Sequence, residues 1–285
     1  MKLARFGKPG KESPGVILPD GTKIDTSAFV EDYDRNFFKT NGLDRLSRWL
    51  TVNASTAPKV DDSVRIGPPI LQPSKIICVG LNYEDHAKEG GMDIPEEPIL
   101  FFKSTSSIIG PNDHVVIPQG SKKTDWEVEL AVIIDKKASY VAETKAMNHV
   151  AGYCLLNDYS ERAFQLERGG QWVKGKSCDT FSPLGPYIAT KDEIEDINKL
   201  RLWLKVNGEI KQDGNTKDLI FNIPYLVSYI SQFMSLEPGD IISTGTPAGV
   251  GLGLNPPQYL EPGDEVELGI DGLGSSRQHL RKFGS

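Results

Sequence analysis

Residues 124–130 read TDWEVEL and set two glutamates, Glu127 and Glu129, at alternate positions at the head of an apolar run. Side chains alternate across a strand, so the two carboxylates share one face, with Cα atoms roughly 6.5–7 Å apart. Trp126, Val128, Leu130 and Val132 fall on the opposite face, while the acidic face turns apolar at Ala131 and Ile133. Like charges this close repel, and burial makes the repulsion worse. A solvated strand end would tolerate the pair. So would a divalent cation, and hard carboxylate oxygens suit Mg2+, Mn2+ or Ca2+ rather than zinc. Such a cation wants a third oxygen. Asp158 ends the apolar run AGYCLLND, where a strand delivers a side chain to a sheet rim; a turn residue or a helix cap would look the same.

Three further stretches carry polar groups suited to chemistry. In GLNYEDHAKEGG, Asn82 is placed to cap a short helix starting at Tyr83, and Gly90-Gly91 to stop it. His86 and Glu89 are then one turn apart, and a carboxylate beside imidazole orients it as a general base. An ordinary surface pair has the same spacing. The glycine stop would let the helix move as a lid. SERAFQLERGG reads as a short helix holding Arg162 and Gln165 beside Asp158. GQWVKGKSCDTFSPLGP carries Lys174 and Lys176 among Gly, Ser and Pro. A lysine there can neutralise a carboxylate or an enolate oxygen, or simply be solvated. STGTPAGVG lacks the phosphate-loop pattern, but suits bringing backbone N–H groups and the Thr246 hydroxyl close to a small anion.

The elements around these residues are short strands. From residue 71 to 285, KIICVGL, PILFFK, HVVIP, EVELAVII, AGYCLLND, GPYIAT, RLWLKVNG, DIISTG and DEVELGI recur between Gly, Pro and Asp turns. Few helices intervene, which predicts a β-rich α+β domain rather than a βαβ array. One helix follows Asn222 as cap, with Leu226, Ile230 and Phe233 on a face. LEPGD occurs twice, each time before a strand, and Pro-Gly favours a type II turn. Residues 1–70 read as a small N-terminal domain plus linker. Strands flank an Asp20-Gly21 turn, a helix carries Leu43, Leu46, Trp49 and Leu50 on one face, and a Pro-rich connector follows.

The chain has 285 residues, 38% hydrophobic, with 32 basic against 39 acidic side chains, a net charge of −7. That balance argues against a nucleic-acid partner. No apolar run approaches membrane-spanning length, and the N-terminus has no secretory pattern, so a cytoplasmic location is expected. Cys78, Cys154 and Cys178 lack disulfide or zinc-ribbon spacing.

Taken in order, CVGLNYEDHAKE, PILFFK, DWEVELAVII, AGYCLLNDYSERAFQ, GQWVKGKSCDTFSPLGP, VNGEIKQDGNT and DIISTGTPAGVG resemble the fumarylacetoacetate hydrolase family over roughly residues 73 to 272. The resemblance implies a mixed β-sandwich roll with a small N-terminal domain, and a catalytic domain over 71–285. It implies Mg2+ (or Mn2+) on Glu127, Glu129 and Asp158, a His86/Glu89 dyad, and Lys176 as the active-site lysine. Lys103, Arg162, Gln165 and Thr246 fall where members contact substrate, and a homodimer or higher homo-oligomer is implied. Glu161 and Phe164 depart from the family's usual residues. The opening MKLARFG and the ending GIDGLGSSRQ resemble a bacterial subgroup often labelled ureidoglycolate lyase, some of whose members hydrolyse 2,4-diketo-3-deoxy sugar acids such as L-rhamnonate or L-fuconate derivatives. The implied reaction cleaves the C3–C4 bond, giving pyruvate and a hydroxy acid such as lactate. Alternatives are oxaloacetate decarboxylation or general acylpyruvase activity, ureidoglycolate lyase activity, and a non-catalytic module that binds metal and a small acid.

Overall fold

The run VELAVII is aliphatic apart from Glu129, and all its residues are buried; it forms the central strand, Val128–Ile134. The computed structural model describes residues 1–89, 91 and 93–285. Val128–Ile134 pairs antiparallel with Val150–Asn157 on one side and with Ile241–Ser243 on the other. Ile241–Ser243 lies parallel to Ile76–Gly80, which pairs with Ile99–Lys103. Strands covered on both faces need apolar residues at consecutive positions, which is why these runs read as nearly continuous hydrophobics. Beyond Val150–Asn157 come Ile188–Thr190 and then the N-terminal strands Lys2–Phe6, Ser13–Ile17 and Lys23–Asp25, so the first residues of the chain extend the same ten-stranded sheet. A second sheet of five strands runs in the order Glu209–Asn215, Arg201–Val206, Glu265–Ile270, Gly274–Lys282, Val115–Ile117.

The alternation expected along the central strand is observed. Trp126, Val128, Leu130 and Val132 join one hydrophobic cluster with Leu202, Leu204, Val266 and Leu268 of the five-stranded sheet. Ala131 and Ile133 join a second cluster with Leu3, Val16, Phe37, Phe38 and Leu46. The fold is a mixed, β-rich α+β sandwich, and each of the nine strand-like runs forms a strand.

The helices follow their patterns with one difference. Gly42–Asn53 buries Leu46 and packs Leu43, Trp49 and Leu50 on the second cluster. Ile223–Phe233 is capped by Asn222, whose Oδ1 accepts from the Tyr225 N–H at 2.9 Å. Leu226 and Ile230 are buried, but Phe233 is 62% exposed. The core-facing stripe runs through 223, 226, 227 and 230, and the last helical position lies past it. Phe233 instead ends a ladder of neighbouring rings with Phe221, Tyr225 and Tyr229. In both LEPGD segments the glycine takes the positive φ of a type II turn, +85° at Gly239 and +103° at Gly263. No helix among the described residues is long and apolar enough to cross a membrane.

Strand direction decides where the site forms. Val128 faces Asn157, Ala131 faces Ser243, and Ser243 faces Cys78. The start of the central strand therefore meets the ends of three others at one rim. Gln212 of the five-stranded sheet ties that rim down. Its Oε1 accepts from the Val128 N–H at 2.9 Å, and its Nε2 donates to Thr246 Oγ1 and to the Pro247 carbonyl, each at 2.8 Å. Truncating Leu130 to alanine should cost about 2–5 kcal/mol of stability, seen as a lower urea midpoint; a loss below about 1 kcal/mol would remove this strand from the centre of the core.

Candidate active site

Glu127 lies immediately before the central strand and Glu129 within it, while Asp158 follows the antiparallel partner. The Asp158 N–H donates to the Glu127 carbonyl at 2.9 Å, which locks the two segments in register. One oxygen from each of Glu127, Glu129 and Asp158 lies within 4.8 Å of the others, and all three residues are buried. The two glutamates share a face as the spacing predicted, and the third carboxylate arrives from the neighbouring strand.

Three cations surround these acids. The Lys176 ammonium sits between Glu127 and Asp158, 2.9 Å from Asp158 Oδ2. Lys103 donates to Asp158 Oδ1 at 2.6 Å and to the Tyr159 carbonyl at 3.1 Å. Arg162 donates to Glu127 Oε1 at 2.7 Å and to Asp125 Oδ2 at 2.8 Å. Four carboxylates, counting Asp125, thus face three cations, and Glu129 is the one without a counter-ion. Burial alone would raise the Glu127 carboxyl, but Lys176 and Arg162 outweigh it and hold the group below its ordinary value. Burial would lower the Lys176 ammonium, but Asp158 and Glu127 keep it charged. Glu129 has no such partner. Burial first, then Asp158 and Glu127, push its carboxyl well above the usual range. Its Oε2 accepts from Ser243 and from the Gly245 N–H at 3.0 Å, while Oε1 makes no hydrogen bond among the described residues. Three convergent hard oxygen donors, one of them without a counter-ion, fit a divalent cation of the Mg2+ or Mn2+ kind.

Glu127 and Glu129 line a cavity of about 420 Å³ whose wall also carries Arg162, Gln165, Lys176, Thr246, His86 and Glu89. His86 and Glu89 lie on the helix Glu84–Glu89. His86 Nδ1 stands 3.6 Å from Glu89 Oε2, too far for a hydrogen bond, and this buried nitrogen has no other partner among the described residues. Glu89 is seated by the Gly249 N–H, at 3.0 and 3.1 Å from its two oxygens. Asn82 does not cap this helix. Its amide donates to the carbonyls of Phe221 and Thr244 and accepts from the Phe221 N–H, pinning two other loops together. The helix starts at Glu84, not at Tyr83. The Gly91 N–H bonds the Lys88 carbonyl with φ of +62°, as a glycine stop requires; Gly90 lies outside the described residues.

Other expected contacts are placed differently. Lys103 does not line the cavity; it is buried behind Asp158 as a counter-ion, because its strand ends beneath the acid. Lys174 points away and donates to the Arg168 carbonyl. In residues 243–251 the N–H groups of Gly245 and Gly249 serve Glu129 and Glu89. The Thr246 hydroxyl is spent on the Val128 carbonyl at 2.9 Å and on Gln212. Arg162 and Gln165 do meet, Nη1 to Oε1 at 3.1 Å. Glu161 caps their helix and accepts from Ser121, Thr124 and the Lys123 N–H, so it secures the segment carrying Arg162. Phe164 lies under the Arg168 guanidinium, 4.7 Å from ring centroid to Cζ.

Sequence reasoning missed Asp125. It is fully buried, and besides Arg162 it accepts from the N–H groups of Trp126, Gly251 and Leu252 at 2.6–2.9 Å. It therefore joins the residue 249–253 loop, which seats Glu89, to the arginine that steadies Glu127. Its signal was an acid immediately before a buried tryptophan, which also suits a strand end.

Residues 75–281 match the fumarylacetoacetate (FAA) hydrolase C-terminal family. The chain belongs to the fumarylacetoacetate hydrolase family. A relative from Burkholderia ambifaria named "Putative hydrolase" is 50% identical over 282 residues, 99% of each chain. The crystal structure of a fumarylacetoacetate hydrolase from Exiguobacterium antarcticum is 36% identical over 99% of both chains, with a TM-score of 0.85. A maleylpyruvate hydrolase from Sphingobium sp. SYK-6, in complex with manganese(II) and pyruvate, is 28% identical over 99% of both chains, with a TM-score of 0.81. All three carry hydrolase in their names; the same fold is also found in proteins named isomerases, such as a 2-hydroxyhepta-2,4-diene-1,7-dioate isomerase from Mycobacterium marinum, 30% identical with a TM-score of 0.76.

Two outcomes follow from this geometry. A carboxyl pushed upward holds its proton to higher pH, so a divalent cation must displace that proton from Glu129. Mn2+ affinity should therefore fall as the pH is lowered, and calorimetry in buffers of different ionisation heat should show proton release; heats independent of buffer would contradict it. Asp125→Ala leaves a buried guanidinium short of a partner and should cost about 3–5 kcal/mol in urea denaturation, whereas a loss below about 1 kcal/mol would deny Asp125 its place as a hub.

Proposed function

We propose that the chain is a divalent-metal-dependent hydrolase that cleaves the C3–C4 bond of a 2,4-diketo acid and releases pyruvate. The observation that carries this reading is the cluster of three buried carboxylates, two of which, Glu127 and Glu129, line a cavity that also holds a histidine beside a glutamate. The family supports it, as does a maleylpyruvate hydrolase of the same fold whose complex contains manganese(II) and pyruvate.

Glu127, Glu129 and Asp158 would hold the cation. When bound, it supplies a chelating charge for the 2-oxo acid end and for the developing enolate oxygen. Arg162, Lys103 and Lys176 hold Glu127 and Asp158 in position. Glu89, fixed by the Gly249 N–H, directs His86 Nδ1 and leaves Nε2 as the base. A shift of under 1 Å brings Nδ1 and Oε2 into hydrogen-bond range, and such tightening on substrate binding is ordinary for a general base. His86 takes a proton from water as the oxygen attacks the C4 carbonyl. The C3–C4 bond breaks, its electron pair passes to the pyruvate enolate, and the Lys176 ammonium stabilises the oxygen charge. A proton added at C3 gives pyruvate, and the other half leaves as a carboxylic acid.

The test is pyruvate release from acylpyruvates with Mg2+ or Mn2+ present and after chelation. His86→Ala should lower kcat by about 10²–10⁴-fold while Mn2+ affinity stays unchanged. Undiminished turnover would take the dyad out of the mechanism. Oxaloacetate decarboxylation outpacing every acylpyruvate would replace hydrolysis with decarboxylation.

A further inference from the structure

The cavity changes character away from the acids. Its remaining wall is built largely from Phe101, Leu166, Trp172, Val250 and Leu252. Trp172 stands edge-on to Phe101, with ring centroids 5.3 Å apart. Its place is made by Gly80, where a Cβ would come within 2.7 Å of the indole ring. Leu166 and Leu252 lie at the cavity with 46% and 38% of their surface exposed. A single exposed leucine is ordinary, but two of them beside an aromatic pair on one concave wall make an apolar binding face.

Outside the carboxylates that would hold the cation and the His86/Glu89 pair, the polar side chains of the wall are largely committed. Arg162 is paired with Asp125 and Glu127, and Lys176, paired with Glu127 and Asp158, is already assigned to the enolate oxygen at the opposite end of the substrate. Thr246 uses its hydroxyl on Val128 and Gln212, and Gln165 Oε1 accepts from Arg162. A second carboxylate on the acyl half would meet no uncommitted lysine or arginine among the described residues lining the cavity. A hydroxylated acyl half, such as a lactoyl group, would find the Gln165 amide nitrogen and little else outside the cation ligands and the His86/Glu89 pair. Burying polar groups short of partners is unfavourable.

We infer that the acyl half of the substrate is apolar, an alkyl or aryl group seated against Phe101, Trp172 and Leu252. This rests on the diketo-acid reading above, and it differs from the sugar-acid substrate that the sequence resemblance implied. Recognition by this wall depends on apolar area alone, so affinity should rise by about fourfold for each methylene added until the cavity is filled.

The experiment compares two 2-oxo acids that lack the C4 carbonyl and so escape cleavage. With Mn2+-loaded protein, 2-oxo-4-phenylbutanoate should bind at least about tenfold tighter than 2-oxoglutarate, which replaces the phenyl ring with a carboxylate. The ratio of the two affinities should fall by about tenfold in Trp172→Ala and by about threefold in Leu252→Ser, whose partly exposed side chain is dispensable for folding. Equal or tighter binding of 2-oxoglutarate overturns the inference, as does an unchanged ratio in both variants. In turnover, faster release of pyruvate from 2,4-diketo-3-deoxy-L-rhamnonate than from benzoylpyruvate also overturns it while leaving the hydrolase intact. Absence of pyruvate from every diketo acid, with the binding ratio preserved, instead sinks the hydrolase reading alone.

Discussion

Everything in this molecule is arranged around the mutual repulsion of buried carboxylates. Asp125, Glu127, Glu129 and Asp158 are brought together in the interior by strand pairing, and three cations hold them there. Each cation arrives on a different element: Lys103 at the end of a strand, Arg162 at the start of one short helix, Lys176 at the end of another. Neither helix is long enough to be stable by itself. Their positions are set by Glu161, by the Gly175 backbone packed on Glu161 and Gln165, and by the acids they serve. Removing one partner would leave an uncompensated charge in a low-dielectric setting, so the parts hold as a set.

The rim is stiff because polar side chains inside the sandwich tie its layers together. Gln212 clamps the first residue of the central strand to the loop after Ile241–Ser243. Gln278 accepts from Asn157 and from the Tyr159 hydroxyl and donates to the Pro111 carbonyl, while Asn157 accepts from the Glu127 N–H. These amides lie in the interior yet are satisfied, and they specify a single arrangement.

The same amides explain what the sequence did and did not disclose. The two-residue spacing of Glu127 and Glu129, the apolar run ending at Asp158 and the one-turn spacing of His86 and Glu89 are local patterns, and local patterns survive folding. Nine strands were legible either because burial on both faces demands consecutive apolar residues, as in Val128–Ile134 and Val150–Asn157, or because one buried face demands alternation, as in Arg201–Val206. Gly274–Lys282 and Glu209–Asn215 were not, since their polar residues point inward at Ser276, Gln278 and Gln212, or outward at an edge. Asn82 looked like a helix cap because its true partners, Phe221 and Thr244, are more than a hundred residues away. Asp125 and Lys103 were opaque for the same reason: a counter-ion is defined by contacts that spacing does not encode.

The cavity has two ends with unequal freedom to change. At the carboxylate end every side chain answers to several others, and a lone replacement there breaks the whole arrangement. Leu166 and Leu252, at the opposite end, stand partly in water and belong to no ionic network. Divergence among descendants of such a scaffold should therefore accumulate at the apolar end, so that one bond-breaking apparatus comes to serve many metabolic diets without being rebuilt.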